Sequence, residues 1–433
     1  MNPSLPQLST LESRRRIQQL TAAELSSHQL KRCNQLLQEI LPANRFYAAK
    51  FGKSALQLAS REELAQLPYT FKSELIGDES TNGFAHNLTW PVDQYSRFHR
   101  TSGTRGLALT VLDSARDWQW WLETWQPVLD VADVQTSDRV VMAFSFGPFI
   151  GFWSAFDAVI ERQCLVAPTG AMTTLARLEL IRSLKATLIF CTPSYALHLS
   201  EVAQAHQFDI SRLGVRALIV AGEPGGSIPS IRGQIEAAWQ AKVIDHCGAS
   251  EIGPWGFADP AGRGIHVNEA ELIAEFISIE TGAAASEGEL SELVLTTLGR
   301  AGSPVIRYRT GDLVRPSWTD DQACNFVLLL GGVLGRTDDM MIVRGVNVFP
   351  SSIEQILRSF PEIAEYRLTA FKDSAMDQLR IEIEDRLDQP ARVKNALQLR
   401  LGLRIDVECV PLGSLPRYEA KGQRFVDQRR QEN

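Results

Sequence analysis

AKVIDHCGASEIG, residues 241–253, joins a run that reads as a buried strand to a loop carrying Ser250 and Glu251. The same grammar occurs three times upstream, in RVVMAFSF (139–146), TLIFCTP (187–193) and RALIVAG (216–222). Helical stretches around 173–185, 194–206 and 228–240 lie between these runs. Short apolar runs alternating with helices predict a parallel sheet in an α/β fold. Ligands of such sheets sit beyond the carboxyl ends of the strands. By position alone, AGEPGGS (221–227), with Glu223, and HCGASEIG (246–253) are therefore site candidates.

Working outward, residues 10–40 show helical periodicity from Leu11 and Ile17 through Leu36 and Ile40, which predicts two surface helices. Trp118, Trp120, Trp121 and Trp125 follow near-helical spacing and read as helix packing. After about residue 335 the pattern changes. Ser351 and Glu354, following Pro350, read as a capping box. QLRIEIED alternates Leu379, Ile381 and Ile383 against Arg380, Glu382 and Glu384, predicting a half-exposed strand. A helix near 391–401 and a strand at 404–410 complete a small unit. The expected organisation is a large N-terminal α/β domain with mixed sheets, residues 1–337, and a small mobile C-terminal α+β domain, residues 338–433.

The 433 residues exceed one ordinary core. A net charge of −7 argues against a nucleic-acid binder, which would carry a basic face. Neither a signal peptide nor a run of about 18 apolar residues is evident, so no membrane span is expected. Cys33, Cys164, Cys191, Cys247, Cys324 and Cys409 are scattered, as reduced thiols in a cytoplasmic protein would be. His246, Cys247, His266 and Cys324 lack metal-ligand spacing. The G-x-S-x-G elbow of a serine hydrolase is absent.

Four further clusters could carry chemistry. HRTSGTRGLALT (99–110) gathers hydroxyls and glycines that could wrap an anion, yet Leu107 stands where a phosphate loop would have lysine. RYRTGDL (307–313) places Asp312 after a glycine, in a turn that could offer a carboxylate to a ribose diol. GRTDDMMIVRGVNVFP (335–350) holds Arg336 and an Asp338–Asp339 pair at the composition break. LPRYEAKGQRF (415–425) carries Lys421. Glu251 itself suits Mg²⁺, which takes one or two carboxylates plus substrate phosphates. Each cluster has an ordinary alternative: a hairpin turn, an Asx turn, a linker, a solvated tail, a solvated glutamate.

Their order along the chain is more specific than any one of them. TSGTRG, GASE, YRTGDL, GRTDDMMIVRGVNVFP and LPRYEAKGQR, in this order, resemble the adenylate-forming superfamily of acyl-CoA ligases and adenylation domains. GRTDDMMIVRGVNVFPSSIE, TLIFCTPSYALHLSE and LPYTFKSEL (67–75) look like the phenylacetate–CoA ligase branch. The resemblance implies that a carboxylate attacks the α-phosphate of ATP–Mg²⁺ to give acyl-AMP and pyrophosphate. A thiol, normally coenzyme A, then displaces AMP after the small domain rotates. It implies that Ser102, Gly103, Thr104 and Gly106 hold the β- and γ-phosphates, and that Glu223 lines the adenine side. Ser250 and Glu251 would meet the α-phosphate and Mg²⁺, and Asp312 the ribose, with Arg336 beside it. Asp338 would be the hinge, Gly345 would line the thiol tunnel, and Lys421 would bridge carboxylate and α-phosphate.

The chain departs from the family pattern in three places. S-G-T-T-G-K-P is replaced by Ser102-Gly-Thr-Arg-Gly-Leu-Ala108, which makes Arg105 the candidate phosphate cation. The segment matching the family's zinc cluster, Asp259 to Ala270, lacks cysteine, and Cys324 stands alone, so no structural zinc is expected. S-E-G-K has become Tyr418-Glu-Ala-Lys421. The expected substrate is an aromatic small-molecule acid, with SFGPFIGFW (145–153) as wall material, and a homodimer is left open. Two other readings stand: transfer of the acyl group to a carrier-protein thiol or an amine, and a degenerate nucleotide-binding scaffold.

Overall fold

In a computed structural model the described residues are 8–101, 108–318, 323–337, 341–343, 346–348, 350–373, 376–401, 403–416 and 424–429. The four runs identified in the sequence are parallel neighbours in one sheet, as strands Lys242–Ala249, Ala217–Val220, Leu188–Cys191 and Arg139–Met142, and a fifth parallel strand that the sequence reading did not pick out, Leu165–Pro168, pairs with the last of them. Helices Thr174–Leu184, Pro193–Ala205 and Pro229–Trp239 fall where the periodicity put them. Each parallel strand needs a crossover, and the helices supply it while covering the sheet. Val141, Ile189, Leu218 and Val243 pack on one face, and Val140, Leu188, Ile219 and Ile244 on the other.

Beyond Lys242–Ala249 the same sheet continues antiparallel through Gly253–Ala258, Gly264–Val267, Leu328–Leu330 and Pro316–Ser317, giving nine strands. The sheet is therefore mixed. A four-stranded antiparallel sheet packs beside it: Leu272–Ser278, Ser291–Thr297, Tyr308–Val314 and Gly335–Arg336. A hairpin of Arg97–Arg100 with Thr110–Asp113 flanks the 102–107 segment, which lies outside the described residues.

The N-terminal helices are Leu11–Gln18 and Ala22–Ile40, the second opened by a Thr21–Glu24 capping box. Helix Ala115–Val131 starts on a Ser114–Asp117 box and buries all four of its tryptophans against the sheet. The C-terminal unit pairs Asp406–Cys409, Met376–Asp385, Ile363–Asp373 and Phe425–Asp427 in that order, with helices Pro350–Leu357 and Pro390–Leu401.

Two expectations here need correction. Pro350 is itself the first residue of its helix, a position that tolerates the missing N–H, so Ser351 lies inside the first turn and is not its cap. Leu379, Ile381 and Ile383 are buried as expected, but Glu384 is buried too, because its carboxylate accepts the Leu415 N–H at 2.7 Å.

Candidate active site

A cavity of about 290 Å³ lies between the carboxyl ends of the parallel strands and the C-terminal unit. Its floor is the loop after Ala217–Val220. Gly222 takes φ of +94°, in the left-handed region open to glycine, and turns the chain so that Glu223 lines the cavity. One Glu223 oxygen accepts the Ser194 N–H at 2.7 Å, in the first turn of helix Pro193–Ala205, where backbone donors lack helical partners. The next strand brings Asp245 to the same wall. Ser227 donates to it at 2.5 Å, yet burial dominates and pushes its carboxyl up to about 6. Sequence reasoning missed Asp245, although an acid inside the buried-strand run AKVIDHCG was a signal that could have found it.

Asp312 and Arg336 form the facing wall. Asp312 was expected in a turn. It lies inside strand Tyr308–Val314, directly opposite Arg336 in the neighbouring strand. Arg336 Nη1 donates to Asp312 Oδ1 at 2.7 Å, and Nη2 to the Thr310 carbonyl at 3.1 Å. Gly311, at φ +77°, gives the guanidinium room: a side-chain carbon there would stand 2.9 Å from Nη2.

Glu251 is buried and is not a solvated loop residue. Lys72 Nζ sits 2.6 Å from its Oε1, and the Tyr308 hydroxyl donates to the same oxygen at 3.4 Å. Burial alone would raise the Glu251 carboxyl. The Lys72 ammonium, helped by Arg336, overcomes it and holds the group below the ordinary range. Lys72 reaches this point because Thr70 is clamped to strand Tyr308–Val314: its N–H donates to the Arg307 carbonyl and its carbonyl accepts from Arg309 N–H, both at 2.9 Å. Lys72 lies in LPYTFKSEL, a segment read only for its resemblance, so its chemistry was missed.

The loop of Ser250 and Glu251 is held by its backbone. Arg300 Nη1 donates to the Ser250 carbonyl at 2.9 Å and to the Glu251 carbonyl at 2.8 Å. Arg300 in turn forks onto both oxygens of Asp113, at 2.7 and 2.9 Å. Asp113 ends the hairpin strand Thr110–Asp113, so one buried pair ties that hairpin to the Glu251 loop.

The C-terminal unit closes the cavity with Glu354, Tyr366 and Arg424. Arg424 forks onto Glu365 at 2.6 and 3.0 Å. Gln234, on helix Pro229–Trp239 of the large unit, donates to the Arg358 carbonyl at 3.0 Å. Burial pushes the Glu354 carboxyl up despite the nearby Arg358 and Arg424.

The structure thus brings Glu223, Asp312 and Arg336 to one cavity, with Glu251 in electrostatic reach of Arg336. Ser102, Gly103, Thr104, Arg105, Gly106, Asp338, Gly345 and Lys421 lie outside the described residues. In the segment considered for zinc, Asp259 is engaged by Arg263 at 2.7 Å and by His266 at 3.4 Å. Burial opposes ionisation there, but the Arg263 hydrogen bonds hold its carboxyl at about 2. Among the described residues no group of three His, Cys, Asp or Glu is placed to hold a metal ion. No helix among them is long and apolar enough to cross a membrane.

Residues 345–429 match the family described as the AMP-binding enzyme C-terminal domain. The chain is 29% identical over 425 residues to a phenylacetate–coenzyme A ligase of Pseudomonas putida, covering 94% of each chain. Among solved structures it resembles a 2-hydroxyisobutyryl-CoA ligase in the postadenylation state with 2-HIB-AMP, at 25% identity and TM-score 0.89 over 98% of this chain and 94% of that one. Against the same ligase with 2-HIB-AMP and CoA in the thioesterification state, at 26% identity and the same coverage, the TM-score is 0.73. The two units of this chain are therefore arranged more like the postadenylation state.

Proposed function

We infer that the chain is an adenylate-forming ligase of the phenylacetate–CoA ligase-like branch. It activates a carboxylic acid with ATP to acyl-AMP and pyrophosphate, then transfers the acyl group to coenzyme A and releases AMP. The observation that carries this reading is the meeting of Glu223 with the Asp312–Arg336 pair, from separate sheets, on one cavity capped by Tyr366 and Arg424.

Asp312 is set to accept the ribose hydroxyls. Arg336 holds it by a 2.7 Å hydrogen bond and fixes its rotamer, so little ordering remains to be done when ATP arrives. In the first step an oxygen of the acid attacks the α-phosphorus, and the bond to the pyrophosphate oxygen breaks. Negative charge on the phosphates must be met by cations placed beforehand. Lys72 is one, held at the mouth of the Glu251 carboxylate. Glu251 is ionised and buried, with Lys72 already drawn to it as a cation, and this fits a one-carboxylate Mg²⁺ site completed by phosphate oxygens. Mg²⁺ bound there would supply Lewis-acid neutralisation of the phosphates. Arg105 is proposed to add charge from the 102–107 segment, and Lys421 to bridge the reacting carboxylate and α-phosphate. In the second step the sulfur of coenzyme A attacks the acyl carbon and AMP leaves. Rotation about Asp338 is proposed to exchange Lys421 for the Gly345 segment, which would line the path of the thiol.

An aromatic acid is the first expectation, and a cytoplasmic setting follows from the use of ATP and coenzyme A. The test is acid-dependent exchange of labelled pyrophosphate into ATP, over aryl and aliphatic acids. Exchange with at least one acid supports the reading; ATP binding without exchange for any acid supports the degenerate scaffold instead.

A further inference from the structure

His246 has chemistry that neither half-reaction uses. It shares a strand with Asp245 and Cys247, whose side chains alternate with its own. His246 and Gly248 lie on the same face, since a side-chain carbon built on Gly248 would stand 3.4 Å from His246 Nε2. Both residues line the cavity, a few positions before Glu251 in the chain.

The hydrogen bonding of the ring fixes its tautomer. Nδ1 lies 2.8 Å from the Gly256 carbonyl, and a carbonyl only accepts, so Nδ1 carries the proton. Nε2 is then a bare lone pair, and it makes no hydrogen bond among the described residues. The neighbouring tryptophan offers no donor in exchange. The Trp125 ring lies 4.2 Å from the imidazole, and the one donor on that ring, Nε1, is spent on Ser154 Oγ at 2.9 Å. Burial lowers the imidazole to about 4, so the ring is neutral at working pH and cannot substitute as a cation for the substrate carboxylate. A neutral acceptor, fixed in orientation against tryptophan and set beside Gly248 on the strand that lines the cavity, is suited to accepting a hydrogen bond from the bound molecule.

We propose that His246 determines acyl specificity, its Nε2 accepting a hydrogen bond from a hydroxyl or amino group carried by the acid substrate. This rests on the ligase reading and names its substrate class: acids bearing a hydrogen-bond donor on the acyl group. Discrimination of this kind is strong, because a site built to bond a hydroxyl is left with an unpaired buried group when the hydroxyl is missing.

The test measures acyl-CoA formation by the full chain with matched acids that differ by one donor. Phenylacetate is compared with its 2-, 3- and 4-hydroxy and 4-amino derivatives and with mandelate, and isobutyrate with 2-hydroxyisobutyrate. At least one donor-bearing acid should exceed its parent about 30-fold or more in kcat/KM. His246→Phe should bring that ratio to within a few-fold of one, and His246→Gln, which keeps an acceptor, should restore part of it. Parent acids used as well as every donor-bearing partner overturn the proposal on the wild-type protein alone, whatever the variants do. A preference that survives in His246→Phe overturns it as well. Pyrophosphate exchange with no acid at all is the separate result that overturns the ligase reading.

Discussion

Asp113 and Arg300 form an ion pair with neither side chain exposed, and the guanidinium left over from that fork grips the two carbonyls before and at Glu251. The pair stacks against Trp121, whose indole N–H donates to Asp113 at 3.1 Å. A buried arginine this fully satisfied is a positioning device: it sets the backbone of the Glu251 loop against the hairpin that flanks the 102–107 segment.

Removing one partner of such a pair leaves the other charge buried and uncompensated, at a cost of about 3–5 kcal/mol. Asp113→Asn and Arg300→Met should each lower the thermal midpoint by many degrees. The combined variant should be less destabilised than the sum of the two, because the orphaned charge is then gone. Differential scanning calorimetry on the three variants reads this directly; additive losses would show that the pair is not coupled.

Lys72 and Glu251 should matter to the first half-reaction. Glu251→Gln removes the ionised carboxylate and should cut pyrophosphate exchange by about a hundredfold or more. Lys72→Met should cut it about ten- to a hundredfold, and should lower the Mg²⁺ concentration needed for half-maximal rate, because the cation that competes for Glu251 is gone. Titrating Mg²⁺ at saturating ATP checks this, and an unshifted Mg²⁺ midpoint would separate Lys72 from the Mg²⁺ site.

Asp312→Asn keeps the size of the side chain and loses the charge paired with Arg336. If its work is ribose binding in the ground state, the KM for ATP should rise by roughly tenfold or more with a smaller change in kcat. A drop in kcat at constant KM would assign it to the transition state instead.

Four of the five parallel strands were legible because each is a short apolar run lying next to a helical pattern; the edge strand Leu165–Pro168 was not, its short run being half-exposed and closed by proline. Much of the site was not legible, for a physical reason in each case. Arg300 and Asp113 meet across 187 positions, and nothing local to "LGRAGSP" distinguishes a buried arginine from a loop one. Lys72 acts through a partner that only the Thr70 bridge to Tyr308 brings near. Asp312 looked like a turn residue because Gly-Asp is turn chemistry; the left-handed glycine instead sits within a strand and makes room for Arg336. Glu384 broke its alternation because a single backbone donor, Leu415 N–H, is satisfied inward.

His99 and His246 are both held at about 4 by burial, His99 also by Arg300 and Arg97. With folded values below the unfolded histidine value of about 6.5, the native chain binds fewer protons than the unfolded chain between those limits. Stability should therefore fall as pH drops from about 6.5 to about 4, and His246→Phe should flatten part of that slope. Urea midpoints measured across this window check it; a slope unchanged in the variant would mean that His246 is not desolvated in the native state.

A site that runs two half-reactions in sequence must pass through acyl-AMP. The decisive measurement is a rapid-quench single turnover with ATP, Mg²⁺ and an accepted acid, with coenzyme A added or withheld, all species being resolved by mass spectrometry. Without coenzyme A, acyl-AMP and pyrophosphate should appear in equal amounts, and that acyl-AMP should convert to acyl-CoA and AMP when coenzyme A is added. Formation of ADP and phosphate, or of acyl-CoA with no acyl-AMP preceding it, would rule out the two-step scheme.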